Sequence, residues 1–337
     1  MRKWHDYPVP QAERRHDVPA TLKVVPQLWS PQLRNRRDLV VYVPPSYEAE
    51  PERRYPVLYM HDGQNVFDPY TSFAGHWRAG AALAHHARNG LEMIVVAIPN
   101  MGARRLYEYT PHPDLIRGGG GGDRYVSFLV ETVKPLIDRN LRTQRGPEHT
   151  AILGSSLGGL ISLYALYRSP WTFGAAGVLS PALWFADGRI FDYVREAEAP
   201  EGRVHLDIGT HEGPDALEDA RQMRDLLVQR GFALGNTLSY FEDVGARHSE
   251  RAWALRFRKV LPFLFGGPVP ETGRSSGVFH VVREGESVPT SEPPATDAPL
   301  RDLAHPMRRF DDAPVADGGR SDGASLPLRI QGDGTSG

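Results

Sequence analysis

The chain has 337 residues, of which 40% are hydrophobic, so it is long enough to fold around one large core. Its formal net charge of -2 gives no general attraction to nucleic acid or to an anionic membrane, and no apolar run approaches the roughly 20 residues that span a bilayer. Because the sequence contains no cysteine, disulfides, thiol nucleophiles and thiolate metal sites are excluded.

The amino-terminal part of the chain predicts an extension followed by a hairpin. Residues 1–20 are polar and have no hydrophobic period, and they lack the apolar stretch of a secretory signal, so we expect a cytoplasmic protein. The segments 22–25 and 38–43 have the composition of strands, and the turn-forming residues 31–37 separate them. This pattern predicts an antiparallel hairpin at the edge of a sheet.

The following 220 or so residues alternate between strand and helix patterns. Short continuous apolar runs, typical of strands covered on both faces, lie at 55–60, 93–98, 151–153, 175–179, 205–208 and 238–241. Helical patterns lie at 78–89, 123–140, 158–168, 215–230 and 249–264. The alternation predicts an α/β fold with a mainly parallel central sheet and helices on both faces.

Two segments have an unusual composition: one is a run of glycines, and the other is rich in polar and turn-forming residues. The run Gly118 to Gly122 is predicted to be a flexible connector before the helix at 123. From 268 to 337 the apolar residues are scattered, so this segment cannot bury enough surface to offset its ordering entropy. We therefore expect a catalytic domain over 21–267 and a disordered tail over 268–337.

The pentapeptide at 154–158 carries the strongest chemical signal. It reads Gly-Ser-Ser-Leu-Gly and lies between a buried-strand pattern and a helix, an arrangement that forms a nucleophile elbow in α/β proteins. Only Ser156 has glycine two positions away on both sides, so we predict that it is the nucleophile and has a strained, left-handed backbone. The alternative is a glycine-rich helix start that packs closely or binds an anion.

A serine nucleophile needs a base from a loop at the carboxyl ends of the strands. Of the histidines that follow Ser156, His205 lies inside a strand pattern, His211 lies beside a candidate acid, and two others lie in the predicted tail. His248 comes directly after the last strand and before the last helix. This position predicts that His248 is the base, the alternative being a histidine that caps the helix.

The acid that orients the base should follow the preceding strand. Glu212 and Asp215 both lie in that loop. Asp215 follows Pro214 at the start of a helix, where a carboxylate stabilises the helix amino terminus without any catalytic role. Glu212 is therefore favoured as the acid, with Asp215 as the alternative.

An oxyanion hole needs two backbone N–H groups, one after the nucleophile and one from an earlier strand-to-helix loop. Leu157 supplies the first, and Gln64 is predicted to supply the second because Gly63 permits a sharp bend there. His61 and Asp62 precede that bend, and we expect them to orient the loop by hydrogen bonds.

Taken together, these motifs resemble the Putative esterase family of α/β hydrolases, including its enterochelin esterase-like and esterase D-like members. The resemblance covers about residues 22–265. It is carried by residues 55–68, 154–159, 179–184 and 209–212, by His248 with Trp253, and by Pro99-Asn100, Arg104-Arg105 and Glu108-Tyr109. It implies a Ser–acid–His hydrolase without a large lid, with Ser156 and His248 in their predicted roles. The acid varies in this family, and some members are thought to use a dyad.

Loops next to Ser156 supply five candidate substrate-binding residues: Asn100, Arg104, Arg105, Tyr109 and Trp184. The arginines and tyrosine suit an anionic or aromatic group. Alternatively, the arginines belong to a solvated loop and pair with Glu108 and Asp114. Trp184 is interpreted either as part of a pocket wall or as an ordinary core tryptophan.

The predicted function is that of a serine carboxylic-ester hydrolase that works through an acyl-enzyme on a small or medium ester, with siderophore, feruloyl and acetyl-sugar esters as candidates. Alternatives are an acyltransferase of the same fold and a catalytically silent binding or scaffold protein. No cofactor is expected, and no metal, because the pairs His85-His86 and His211-Glu212 lack a metal-ligand spacing.

Overall fold

The computed structural model describes residues 3–8, 18–19, 21–73 and 75–267. The segment 268–337, for which the sequence predicts disorder, and much of the predicted extension 1–20 lie outside the described residues. Within the described residues, no helix combines the length and the apolar character needed to cross a membrane. A cytoplasmic location stays a prediction.

The described part of the chain contains a central nine-stranded sheet with the order β1-β2-β3-β5-β4-β8-β9-β10-β11. Its strands are β1 (His5–Asp6), β2 (Leu22–Ser30), β3 (Asn35–Tyr42), β4 (Val57–Met60), β5 (Ile94–Ala97), β8 (Thr150–Ser155), β9 (Ala175–Leu179), β10 (Arg203–Gly209) and β11 (Leu238–Asp243). A separate two-stranded ribbon consists of β6 (Pro113–Asp114) and β7 (Gly118–Gly119).

Strand directions confirm the predicted α/β fold. The six strands from β5 to β11 in the sheet order pair in parallel, whereas β2 and β3 form an antiparallel hairpin next to β5. The short strand β1 pairs with the outer side of β2, so it extends the sheet beyond the hairpin.

The helices are α1 (Ala79–Arg88), α2 (Arg105–Tyr109), α3 (Gly122–Phe128), α4 (Lys134–Asn140), α5 (Leu157–Arg168), α6 (Phe185–Glu196), α7 (Pro214–Gln229) and α8 (Glu250–Leu264). The helix predicted over 123–140 consists of α3 and α4, joined by a π-helical turn over 129–133. Neither α2 nor α6 was predicted. In α6, Ala186, Asp187 and Gly188 all have positive φ, so its first turn has the sequence and the backbone of a loop.

Both faces of the sheet are covered, which explains why its central strands are apolar throughout. In β4, Val57 and Tyr59 pack into one hydrophobic cluster, whereas Leu58 and Met60 pack into a second cluster on the opposite face. The first cluster includes residues of α3 to α7, and the second includes residues of α1 and α8.

Four of the five glycines in the run 118–122, all except Gly118, are closely packed, so most of the run is not an open connector. A Cβ added to Gly121 would lie 2.3 Å from the ring of Tyr107, and one added to Gly119 would lie 2.3 Å from Thr110 Oγ1. Glycine is therefore needed here because a side chain would prevent close packing. Composition alone cannot distinguish this requirement from a requirement for flexibility.

Parallel strands bring their carboxyl ends to one edge of the sheet, and the loops at this edge carry the candidate residues. In sheet order, these loops contain Asn100 after β5, Gln64 after β4, Ser156 after β8, Trp184 after β9, Glu212 after β10 and His248 after β11.

Candidate active site

Ser156 occupies a sharp turn between β8 and α5. Its backbone has φ 57° and ψ −123°, so the predicted positive φ is present, although ψ differs from that of a left-handed helix. A Cβ added to Gly154 would lie 2.7 Å from the carbonyl carbon of Gly158. Glycine at 154 is therefore required for the close approach of strand and helix.

The segment after β9 holds this turn in place. The Ser156 N–H donates to the carbonyl of Leu179 at 3.0 Å, and the Ser156 carbonyl accepts from the N–H of Ala182 at 3.1 Å. Ser155 is buried in β8, whereas Ser156 is half-buried. The Ser156 hydroxyl makes no hydrogen bond to any residue that the structure describes, which leaves it available to a substrate.

His248 and Glu212 meet next to the turn. The Nδ1 atom of His248 lies 2.7 Å from Oε2 of Glu212, and the edge of the Trp253 ring packs against the imidazole with centroids 4.8 Å apart. In the described part of the chain, no hydrogen bond joins His248 to Ser156; catalytic contacts of this kind often tighten only when substrate binds.

Of the two candidate acids, only Glu212 contacts the histidine. Asp215 lies exposed in the first turn of α7, where its charge suits the helix dipole. Burial acts to raise the pKa of Glu212, but the hydrogen bonds from His248 and Ser180 outweigh it and hold the pKa below its ordinary value. Glu212 is thus held as a carboxylate.

Ser180 fixes the second oxygen of this carboxylate. Its hydroxyl lies 2.6 Å from Glu212 Oε1, 3.0 Å from the indole nitrogen of Trp253 and 2.9 Å from a guanidinium nitrogen of Arg256. The latter two groups only donate, so the single hydroxyl proton must point at Glu212. The N–H of Gly209 also donates to Oε1, at 2.8 Å.

A buried polar network continues from Ser180 into the core. Arg256 lies 2.9 Å from a carboxylate oxygen of Asp207, and both side chains are almost completely buried. His205 lies between Asp207 and Ser239, with contacts of 3.1 and 2.9 Å. His205 thus has a place inside the strand, as the sequence analysis expects.

Ser180 and Arg256 were missed in the sequence analysis. Ser180 could have been found as a serine at the end of a buried strand. Arg256 could have been found as a cation on the apolar face of the last helix, because a buried cation requires a carboxylate partner.

The loop after β4 is bent sharply beside the turn at Ser156. Asp62 has φ 52° and ψ 47°, and a Cβ added to Gly63 would lie 2.6 Å from the backbone of Ala97, so only glycine fits at 63. The N–H groups of Gln64 and Leu157 donate to no acceptor in the described part of the chain. Both are therefore free to bind an oxyanion.

Asp62 lies at the centre of a cluster that fixes this loop. Its carboxylate accepts two hydrogen bonds from Arg105, at 2.8 and 2.9 Å, and one from the amide of Asn100 at 2.7 Å. The backbone N–H of Asp62 donates to the hydroxyl oxygen of Tyr109 at 3.1 Å. Burial acts to raise the pKa of Asp62, but the positive charge of Arg105 and these hydrogen bonds keep it below its ordinary value.

This cluster changes the interpretation of three predicted substrate-binding residues. Arg105 and Asn100 bind Asp62, and Tyr109 is fully buried, so the structure does not support direct contact between Tyr109 and a substrate. His61 also orients the loop: its Nδ1 lies 2.9 Å from the hydroxyl of Tyr125. Burial lowers the pKa of His61 to about 3, so the imidazole is neutral at neutral pH.

The two remaining candidates are exposed. Arg104 is exposed and lines a surface cavity. Trp184 is 50% exposed, with the guanidinium of Arg117 5.2 Å from its ring, so it is not a core residue. The predicted alternative partners of the loop arginines are taken elsewhere, since Glu108 pairs with Arg37 and Asp114 with Arg117.

No group of three or more potential ligands for a metal ion occurs among the described residues. The described candidate site contains a serine on a strained turn, a histidine–carboxylate pair and two backbone N–H groups without acceptors. Ester hydrolysis by a serine nucleophile uses groups of these types.

Comparison with known proteins assigns the family. The fold is that of an α/β hydrolase: the structure resembles a ferulic acid esterase from Anaeromyces mucronatus with a TM-score of 0.57 and 22% identity, over 73% of this chain and 91% of that one. Residues 30–264 match the family model Putative esterase, so the chain belongs to that family, and it is a carboxylic-ester hydrolase.

Two relatives illustrate the range of similarity. An uncharacterized protein, YbbA, of Bacillus subtilis (strain 168) is 28% identical over 245 residues, which are 69% of this chain and 93% of the relative. A siderophore triacetylfusarinine C esterase of Aspergillus fumigatus is 31% identical over 136 residues, but these are 39% of this chain and 45% of that enzyme.

Proposed function

We propose that this esterase works through an acyl-enzyme formed on Ser156. The hydroxyl oxygen attacks the ester carbonyl while His248 takes its proton, and the C–O bond to the alcohol then breaks as His248 returns that proton to the leaving group. Water attacks the acyl-enzyme in the same way and releases the acid. The observation that supports this proposal best is the 2.7 Å contact between His248 and Glu212 beside the strained turn at Ser156.

Glu212 sets the tautomer of the base in this scheme. A carboxylate that accepts from Nδ1 requires the proton to be on Nδ1, which leaves the lone pair on Nε2 free to take a proton from Ser156. The same carboxylate stabilises the imidazolium that forms. Asp215 is exposed and makes no hydrogen bond to His248 in the described part of the chain, so it is not assigned this role.

The N–H groups of Gln64 and Leu157 are proposed to bind the oxyanion of the tetrahedral intermediate. Leu157 is the first residue of α5, and Gln64 lies in a single helical turn over Gly63–Asn65, so neither N–H has a partner within its helix. The cluster around Asp62 keeps the Gln64 side of this site in place before substrate arrives, as effective electrostatic stabilisation requires.

Siderophore and feruloyl esters are the first candidates for the substrate. Siderophore esterases of Aspergillus fumigatus and Emericella nidulans are 31% and 32% identical to parts of this chain. The half-exposed ring of Trp184, which follows β9 next to the Ser156 turn, supplies an aromatic surface for such a group.

Replacement of the nucleophile tests this proposal. Ser156→Ala should lower kcat for p-nitrophenyl acetate by about 10⁴-fold or more, because the attacking oxygen is lost while the backbone of the turn is kept. Ser155→Ala is the matched control, since it alters the neighbouring buried serine, and its kcat should stay close to that of the wild type. Folded Ser156→Ala protein that retains more than a few per cent of wild-type kcat would show that the assignment is wrong.

A further inference from the structure

A second feature of the surface involves three arginines around one cavity. Arg34, Arg104 and Arg124 line a cavity of about 420 Å³, and the side chains of Leu33 and Tyr107 complete its wall. We call these five residues the arginine pocket. None of the proposed catalytic residues lines it, and it contains Arg104, the neighbour of the Arg105 that binds Asp62.

The three guanidinium groups of the arginine pocket have no acidic partner within the described residues. Neighbouring acids are paired with other cations: Glu108 with Arg37 at 2.7 Å, and Asp123 with Arg168 at 2.7 Å. Three like charges around one cavity repel one another unless an anion lies between them. Guanidinium groups bind carboxylates and phosphates through paired hydrogen bonds, which makes such an anion the complementary ligand.

The backbone holds the arginines at this cavity. Arg34 has φ 52°, and its turn is held by hydrogen bonds from Arg34 N to Ser30 O at 2.8 Å and from Leu33 N to Ser30 Oγ at 3.1 Å. Arg104 ends a short helical turn that its own N–H closes onto the carbonyl of Met101. The side chains thus extend from fixed positions, so a ligand would not have to order the loops first.

The glycine run before α3 builds the apolar wall of the pocket. The N–H of Gly121 donates to the Tyr107 carbonyl at 2.9 Å, and any side chain at 121 would overlap the Tyr107 ring. Glycine at this position therefore allows the ring to lie against the start of α3, the helix that carries Arg124. The close packing of this run thus places an aromatic face beside the three cations.

The pocket opens at the same edge of the sheet as Ser156. Arg34 immediately precedes β3, which runs antiparallel to β5 with Val40 opposite Ala97, so the start of β3 extends beyond the carboxyl end of β5. None of the proposed catalytic residues lines the pocket, so a ligand there does not occupy the catalytic site.

We propose that the arginine pocket is a binding site for a multiply charged anion with an aromatic or apolar body, such as a polycarboxylate. The guanidinium groups bind the negative charges, and Tyr107 with Leu33 contacts the body of the ligand. This proposal does not depend on the mechanism of ester hydrolysis.

Benzene-1,3,5-tricarboxylate is a suitable probe because it combines three carboxylates with an aromatic ring. Isothermal titration calorimetry of the full chain at low salt should give saturable binding with a Kd of about 1 mM or tighter. Arg34→Gln and Arg124→Gln should each raise that Kd about tenfold, and added salt should weaken binding. Benzoate, which has the same ring but one charge, should bind much more weakly.

Arg88→Gln is the matched control, since it removes the same charge from an exposed site at the end of α1. It should leave the Kd for the tricarboxylate unchanged. Hydrolysis of p-nitrophenyl acetate by all three variants should match the wild type, which shows that each variant is folded and separates this test from that of the catalytic mechanism. An absence of saturable binding, or a Kd that neither pocket substitution changes, would overturn the proposal.

Discussion

Two buried carboxylates flank Ser156, and they have different partners. Asp62, after β4, is bound by Arg105 and Asn100, whereas Glu212, after β10, is bound by His248 and Ser180. In both cases the partners lower the pKa of the acid despite its burial. The difference lies in what the partner can do: a guanidinium keeps its proton, whereas an imidazole can take and release one.

This comparison assigns different roles to two similar acids. Asp62 holds the loop of Gln64, and its bidentate pair with Arg105 has fixed geometry. In the proposed mechanism, Glu212 orients a base that must change its charge during each catalytic cycle. Loss of Asp62 should therefore affect stability most, and loss of Glu212 should affect catalysis most.

Of the two carboxylates, Glu212 should show the larger effect on catalysis. Glu212→Gln should lower kcat for p-nitrophenyl acetate by about 10³- to 10⁴-fold, because an amide cannot hold the required tautomer or stabilise the imidazolium. Asp215→Asn is the matched control and should change kcat by less than about twofold, as for an exposed helix-terminal acid. A larger loss in Asp215→Asn would reverse the assignment, and no loss in either would indicate a Ser156–His248 dyad.

Compared with Glu212→Gln, Asp62→Asn should lower stability more and kcat less. It leaves the largely buried Arg105 without its counter-charge, so the free energy of unfolding should fall by about 2 kcal/mol, allowing for the partial exposure of the arginine. Loosening of the Gln64 loop should lower kcat by about 10-fold to 100-fold, less than Glu212→Gln does. Urea unfolding and kcat should be measured for both variants, so that they can be ranked separately by loss of stability and by loss of activity.

The comparison fails if Asp62→Asn inactivates the enzyme as fully as Glu212→Gln while its urea midpoint stays at the wild-type value. That result would give Asp62 a direct part in the reaction.

Ser180→Ala should have a smaller effect, visible in the pH profile. The Glu212 carboxylate loses a donor, so its pKa rises and it is protonated at a higher pH. This change moves the acid limb of kcat/KM to higher pH, by about half a unit or more. Ser239→Ala removes a hydroxyl of the same buried network that does not contact Glu212, and its pH profile should match the wild type.

Equal shifts in Ser180→Ala and Ser239→Ala would mean that Ser180 acts only through general packing of the network.

The smallest effect concerns the dependence of stability on pH. Because the pKa values of Asp62 and Glu212 are lowered in the folded state, their stabilisation is present above the ordinary carboxyl pKa of about 4 and is lost as pH falls through the folded values. Urea unfolding between neutral and acidic pH should show this loss. It should be reduced in Asp62→Asn and, to a lesser degree, in Glu212→Gln; an unchanged slope in both would contradict the lowered pKa values.

Local patterns predicted the backbone of the site well. Continuous apolar runs located the six parallel strands, and the glycines around Ser156 predicted a turn that the structure has. These features depend on the residues of one short segment, so the sequence alone is sufficient to find them.

The partners of the site residues were harder to predict, because they come from distant segments. Arg105 and Tyr109 lie at the two ends of α2, but the sequence does not show that their side chains contact Asp62. Ser180 and Arg256 are 76 residues apart and meet only when α8 packs on the sheet. Pairings of this kind depend on tertiary packing and not on a local pattern.

Labelling with a fluorophosphonate tests the central claim most directly, because this reagent reacts with an activated serine and needs no knowledge of the natural ester. Peptide mapping by mass spectrometry should find one adduct, on Ser156, and labelling should be slow in His248→Ala and absent in Ser156→Ala. An adduct on Ser155 or another residue, or undiminished labelling of Ser156→Ala, would contradict the account.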